Sequence, residues 1–119
     1  MTMRHEVPDS DGRVLQFAGE LIAEATSYEP GKERWAELKI YRTEQGSFVL
    51  AGVGRSVVRG ETDRTWASLI DDAAGVIARL TLIDGNSVHY IPHVNRQAIM
   101  AAGETCREIR EAYAVQQVA

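Results

Sequence analysis

His89 and His93 stand four residues apart, with Asp84 shortly upstream. Imidazoles at that interval bind zinc when both lie on one helix face. Pro92 sits between them, however, and Ser87 to Ile91 alternates like a strand, with Val88 and Tyr90 on one side. Proline ends such a strand. The pair therefore reads as one strand histidine and one loop histidine, and no metal ligand is assigned.

Gly52-Val53-Gly54-Arg55-Ser56 resembles a fragment of a phosphate-binding loop. Such a loop must run from a strand into a helix whose first amides face the anion. Here Val57 and Val58 follow, so the glycines belong inside a strand, where a missing side chain permits a bend or a close approach. Ser56 lies in G-R-S-V-V, which is not a nucleophile elbow. Cys106 falls on the apolar stripe of the last helix, and a buried thiol with no cation beside it is inert; Arg107 or Arg110 would activate it if exposed. Asp71 and Asp72 read as helix caps. No nucleophile, base and orienting group come together at a defensible spacing. No catalytic residue is assigned, and no cofactor is implied.

What remains is basic and aromatic. Trp35, Lys39, Tyr41, Arg55, Arg59 and Arg64 are the candidate binding residues, flanked by Arg34, Arg42 and Trp66. Arginine with aromatic rings suits a protein hot spot, or stacked bases and phosphates in single-stranded nucleic acid. The bland alternative is a solvated sheet face whose arginines lie along it.

The element that must position these residues runs from Trp35 to Val58. Its flanks are aromatic and β-branched, and Glu44-Gln45-Gly46 fits a three-residue hairpin loop with Gly46 left-handed. That loop sets Thr43 opposite Ser47, Ile40 opposite Leu50 and Leu38 opposite Gly52. Leu38, Ile40, Phe48 and Leu50 then share the core face. Trp35, Glu37, Lys39, Tyr41, Val49, Ala51, Val53 and Arg55 share the other, with Trp35 facing Arg55 for a cation–π contact.

Residues 1–12 are polar, with Pro8, and predict a flexible arm. Val14 to Ser27 fits strand or helix. Strand is preferred because the Tyr28-Glu29-Pro30-Gly31 turn leads straight into the hairpin, and it would put Leu15, Phe17, Leu21, Ala23 and Ala25 on one face. A short strand over Thr65 to Ile70 precedes a helix that ends near Leu82, with Ala73, Val76, Ile77 and Leu80 on its stripe. Asp84-Gly85-Asn86 is a turn. Ile99, Ala102, Cys106, Ile109 and Tyr113 keep helical phase across Gly103, which predicts one long C-terminal helix started by Asn95.

A chain of 119 residues builds one core, here residues 13–119, without needing disulfides or a metal. The expected fold is α+β, a mainly antiparallel four- or five-stranded sheet in the order β-β-β-β-α-β-α, with the long C-terminal helix on one face. A net charge of -4 argues against a dedicated nucleic-acid binder. The single cysteine and the absence of an apolar leader or span point to the cytoplasm, with no membrane association. Eleven arginines against two lysines suggest a GC-rich bacterial or phage gene. The expected function is a small non-catalytic binding or regulatory protein whose partner is another protein, or a second copy in a homo-oligomer. Nucleic-acid binding through the Arg/Trp patch is the alternative, and a metal-dependent enzyme built on His89 and His93 comes after it.

Overall fold

The structure, a computed structural model, describes residues 2–118. Five strands follow one another as an antiparallel meander: β1 (Met3–Pro8), β2 (Val14–Thr26), β3 (Arg34–Thr43), β4 (Phe48–Ser56) and β5 (Arg64–Ile70). Helix α1 (Ala73–Leu80) comes next. A two-stranded hairpin of β6 (Leu82–Ile83) and β7 (His89–Tyr90) leads to α2 (His93–Gly103) and α3 (Arg107–Val118). No helix among the described residues is long and apolar enough to cross a membrane.

The central hairpin has the expected register, with Ile40 opposite Leu50, Leu38 opposite Gly52 and Trp35 opposite Arg55. Its loop closes through Gly46 N–H to the Thr43 carbonyl at 3.0 Å, and Gly46 has φ 86°. Only glycine takes that conformation without cost, so the loop length and hence both faces follow from one residue. Leu38, Ile40, Phe48 and Leu50 are all buried, against Val76, Ile77 and Leu80 of α1, Ile99 of α2 and Ile109 of α3. Asp72 caps α1, its carboxylate accepting the Gly75 N–H at 2.7 Å.

The opposite face departs from the sequence reading. Tyr41 and Val49 are 6% and 1% exposed and form a second core with Val7 and Ala67, joined by Leu15, Phe17 and Ala51. Residues 3–8, expected in a flexible arm, supply part of its cover as β1, paired with Val14–Gly19. The sheet curls until its first and last strands meet. Asp9, just past β1, accepts the Ala67 N–H at 3.1 Å, and its own carbonyl accepts the Thr65 hydroxyl at 3.4 Å.

Strand β2 serves both cores because it is bulged. Its register against β3 slips between Leu21 and Ala23. An extra residue reverses the alternation of side chains beyond it. Leu15 and Phe17 therefore join the second core, while Ala23 and Ala25 join the first, and the single shared face expected for these residues does not form.

The long C-terminal helix is also replaced, by two short ones. The chain tightens after Gly103, with the Glu104 N–H and Thr105 N–H each donating three residues back, and Cys106 O accepts the Arg110 N–H to start α3. The apolar stripe survives the break: Ile99, Ala102, Cys106 and Ile109 are all buried. Gly103 is the contact point between the two helices. A Cβ there would meet the Arg110 Cβ at 3.3 Å, and the Arg110 guanidinium donates to the Gly103 carbonyl at 2.7 Å.

Candidate binding surface

Trp35 lies near the start of β3, on the face that carries the second core further along the strand. Its ring is partly buried. Tyr28, from the turn before β3, meets it edge-on with centroids 4.7 Å apart. The indole Nε1–H donates to the Glu37 carboxylate at 2.9 Å. That bond, with the Arg55 guanidinium as a further contributor, lowers the Glu37 pKa below its ordinary value.

Arg55 faces Trp35 across the ladder, but its guanidinium turns to carboxylates. Nε lies 3.1 Å from Glu37 and Nη1 lies 3.0 Å from Asp63. The expected cation–π contact is not made. A charge-assisted hydrogen bond to Asp63 and an ion pair with Glu37 outweigh one exposed ring face, whose attraction is about 0.5–1 kcal/mol. The cation–π pairs among the described residues are Arg42 over Phe48 and Arg79 over Trp66.

The loop between β4 and β5 is latched to the hairpin by its own acids. Arg34 grips Glu61 with two bonds of 2.8 and 2.6 Å, and the Ser56 hydroxyl donates to the same carboxylate at 2.6 Å. These partners hold Glu61 down to a pKa of about 2. Asp63 accepts the Ser56 backbone N–H at 3.1 Å, and that bond, with Arg55 beside it, lowers its pKa as well.

Trp35 stands between two hollows. One of about 600 Å³ is lined by Arg34, Arg55, Ser56, Glu61 and Arg64 as well as Trp35. The other, about 720 Å³, is lined by Glu24, Thr26, Tyr28, Glu37 and Lys39, again with Trp35. The structure thus gathers Trp35, Lys39, Arg55 and Arg64 around one aromatic wall. Arg59 is exposed on the adjoining loop and lines neither hollow. Tyr41 is buried in the second core, where loss of water raises its phenol pKa. Tyr28, Glu24, Glu37, Glu61 and Asp63 were not singled out by sequence.

The other candidates lie apart. His89 and His93 are both exposed, in β7 and at the start of α2. The Asp84 carboxylate accepts the N–H groups of Asn86 and Val88 at 2.8 and 2.9 Å and so shapes the β6–β7 turn. Cys106 is buried, and its cationic neighbour is neither Arg107 nor Arg110 but Arg42 of β3, whose Nη1 lies 3.2 Å from Sγ and also pairs with Glu108. Arg107 pairs with Glu111. Compared with family models, curated proteins and solved structures, the chain matches none.

Proposed function

We propose that this chain is a non-catalytic binding protein that works by protein–protein contact through the surface around Trp35. The observation that carries this reading is the pairing of the arginines. Arg34 and Arg55 already hold Glu61, Glu37 and Asp63, so the two arginines beside Trp35 are neutralised internally. A phosphate ligand would have to compete with those carboxylates. A protein partner meets instead a fixed aromatic wall with a polar rim, the composition of an interface centre and its surround. Cytoplasmic location belongs to the same proposal.

Nucleic-acid binding is the second reading, supported by Arg59 and Arg64, which stand outside these ion pairs. A salt titration of the interaction separates the two. Phosphate-driven binding weakens steeply and log-linearly with salt, because each neutralised phosphate releases a counterion. A partner captured by the intact chain and released by Trp35→Ala, with a shallow salt slope, supports the protein reading. Tight binding of single-stranded nucleic acid with a steep slope overturns it.

A further inference from the structure

Strand β2 is longer than the strand beside it. The last rung of β1 joins Met3 to Gly19, so from Glu20 to Thr26 the strand has β3 on one side and no strand on the other among the described residues. The Ser27 N–H donates to the Ala36 carbonyl at 2.9 Å, which makes Ser27 and Ala36 a hydrogen-bonded pair. Antiparallel pairs alternate, so Ala25 with Leu38 is bonded, and Thr26 with Glu37 and Glu24 with Lys39 are not. Glu24 and Thr26 therefore turn their N–H and C=O groups outward, and both residues are exposed. This is a short template for one more strand.

The template borders the hollow that Tyr28 and Trp35 line, because Glu24 and Thr26 line it too. An added strand sends every second side chain to that face. The charge of the edge selects the occupant. Glu24 is exposed and in no ion pair among the described residues, and Glu29 and Glu33 follow in the next turn, against Lys32 and Lys39. A second copy would bring the same acidic edge against itself, and like charges across a ladder repel. The bulge between Leu21 and Ala23 limits the regular template to its Ala23–Thr26 end.

We propose that the partner is an extended basic segment that adds to β2 beside Glu24 and Thr26, laying an apolar side chain on Trp35 and Tyr28 and lysine or arginine beside Glu24. This rests on the protein-contact reading and names its mode. The test selects displayed random twelve-residue linear peptides on the intact chain, then measures the synthetic winners by fluorescence anisotropy. The expected winners carry lysine or arginine at alternate positions around an apolar residue. N-methylation of peptide nitrogens in one alternate frame weakens binding by about tenfold or more, since each blocked nitrogen loses a ladder bond, while the other frame is tolerated. Glu24→Lys weakens the same peptides, and circular dichroism checks that the variant is folded. Methylation acts on the ligand, so its result does not depend on the fold of any variant. An empty selection, acidic or uncharged winners, or winners indifferent to methylation in both frames overturn the proposal. Winners that need Trp35 but ignore methylation overturn strand addition alone and leave the protein-contact reading standing. Winners indifferent to Trp35→Ala and to methylation overturn both.

Discussion

Trp66 lies across Gly52. The two residues are opposite each other on β5 and β4, and a Cβ built on Gly52 would stand 2.1 Å from the indole Nε1. The guanidinium of Arg79 also lies over the ring, 4.2 Å from its centroid. The absent side chain at Gly52 leaves the room that the indole occupies. Gly54, two residues on, has nothing nearer than the Arg64 carbonyl at 3.9 Å. The two glycines of the Gly52-x-Gly54 pair therefore do different things.

Gly52→Ala is expected to destabilise the fold by about 1–3 kcal/mol, the usual cost of forcing an extra carbon into packed space. Gly54→Ala should be close to neutral. Chemical denaturation of the two variants checks the contrast, and equal effects would show that the indole does not rest on Gly52.

Truncation on the hairpin should be costly on both faces. Leu38→Ala and Ile40→Ala are each expected to lose about 2–5 kcal/mol, and Tyr41→Ala about 3–5 kcal/mol, since all three sit in packed cores. Lys39→Ala, between them and exposed, should change stability by less than about 0.5 kcal/mol. A near-neutral Tyr41→Ala would mean that β1 does not close over the second core.

The hairpin was legible because one glycine sets its loop, and a strand's alternation then assigns every later side chain. The stripe of the last helices was legible for a similar reason. The break at Gly103 was not, because phase persists through it and the partner that turns the chain, Arg110, lies on the far side. The bulge in β2 left no mark either. Leu21, Ile22 and Ala23 are all apolar, so slipping one residue keeps a plausible pattern on both faces. The second core required the β1 end to reach β5, a long-range event, and the residues of β1 look polar in isolation. At the candidate site, the gathering of Trp35 with Arg55 followed from register. The choice of Arg55 between ring and carboxylate depended on where the loop delivers Asp63, which register does not specify.

Acid should loosen the loop between β4 and β5. Glu61 has its pKa depressed from 4.5 to about 2 by Arg34 and Ser56. A carboxylate depressed in the folded state contributes stability that is complete above its unfolded pKa and is lost as pH falls through the folded one. The contribution of Glu61 is thus present at neutral pH and fades between about 4.5 and about 2. Titration of the Glu61 side chain by NMR should find a midpoint near the lower value. Arg34→Ala should move that midpoint up towards 4.5. An unchanged midpoint in the variant would exclude Arg34 as the latch.

Trp35 gives the most direct reading of the binding surface. It is partly buried by Tyr28, its N–H is already satisfied by Glu37, and it lines both hollows. A ring so placed stays rigid in the free protein and still has area to lose on contact, and such preordered aromatics dominate interface energies. With Trp66 replaced by Phe, only Trp35 fluoresces. A neutral soluble quencher should then reach it at a rate between those of a core and a free indole. Occupation of the surface by a partner should suppress quenching and shift the emission to the blue. Tyr28→Ala should increase quenching in the free protein, because it removes the ring that shields the indole edge. Replacing Trp35 and Arg55 together by Ala should cost at least about 2 kcal/mol of partner binding, the customary threshold of a hot spot. Arg55→Ala alone is expected to act more weakly, since it frees Glu37 and Asp63 without removing apolar area. Unquenchable Trp35 in the free monomer, or a partner that binds without altering its emission, would place the working surface elsewhere on the molecule.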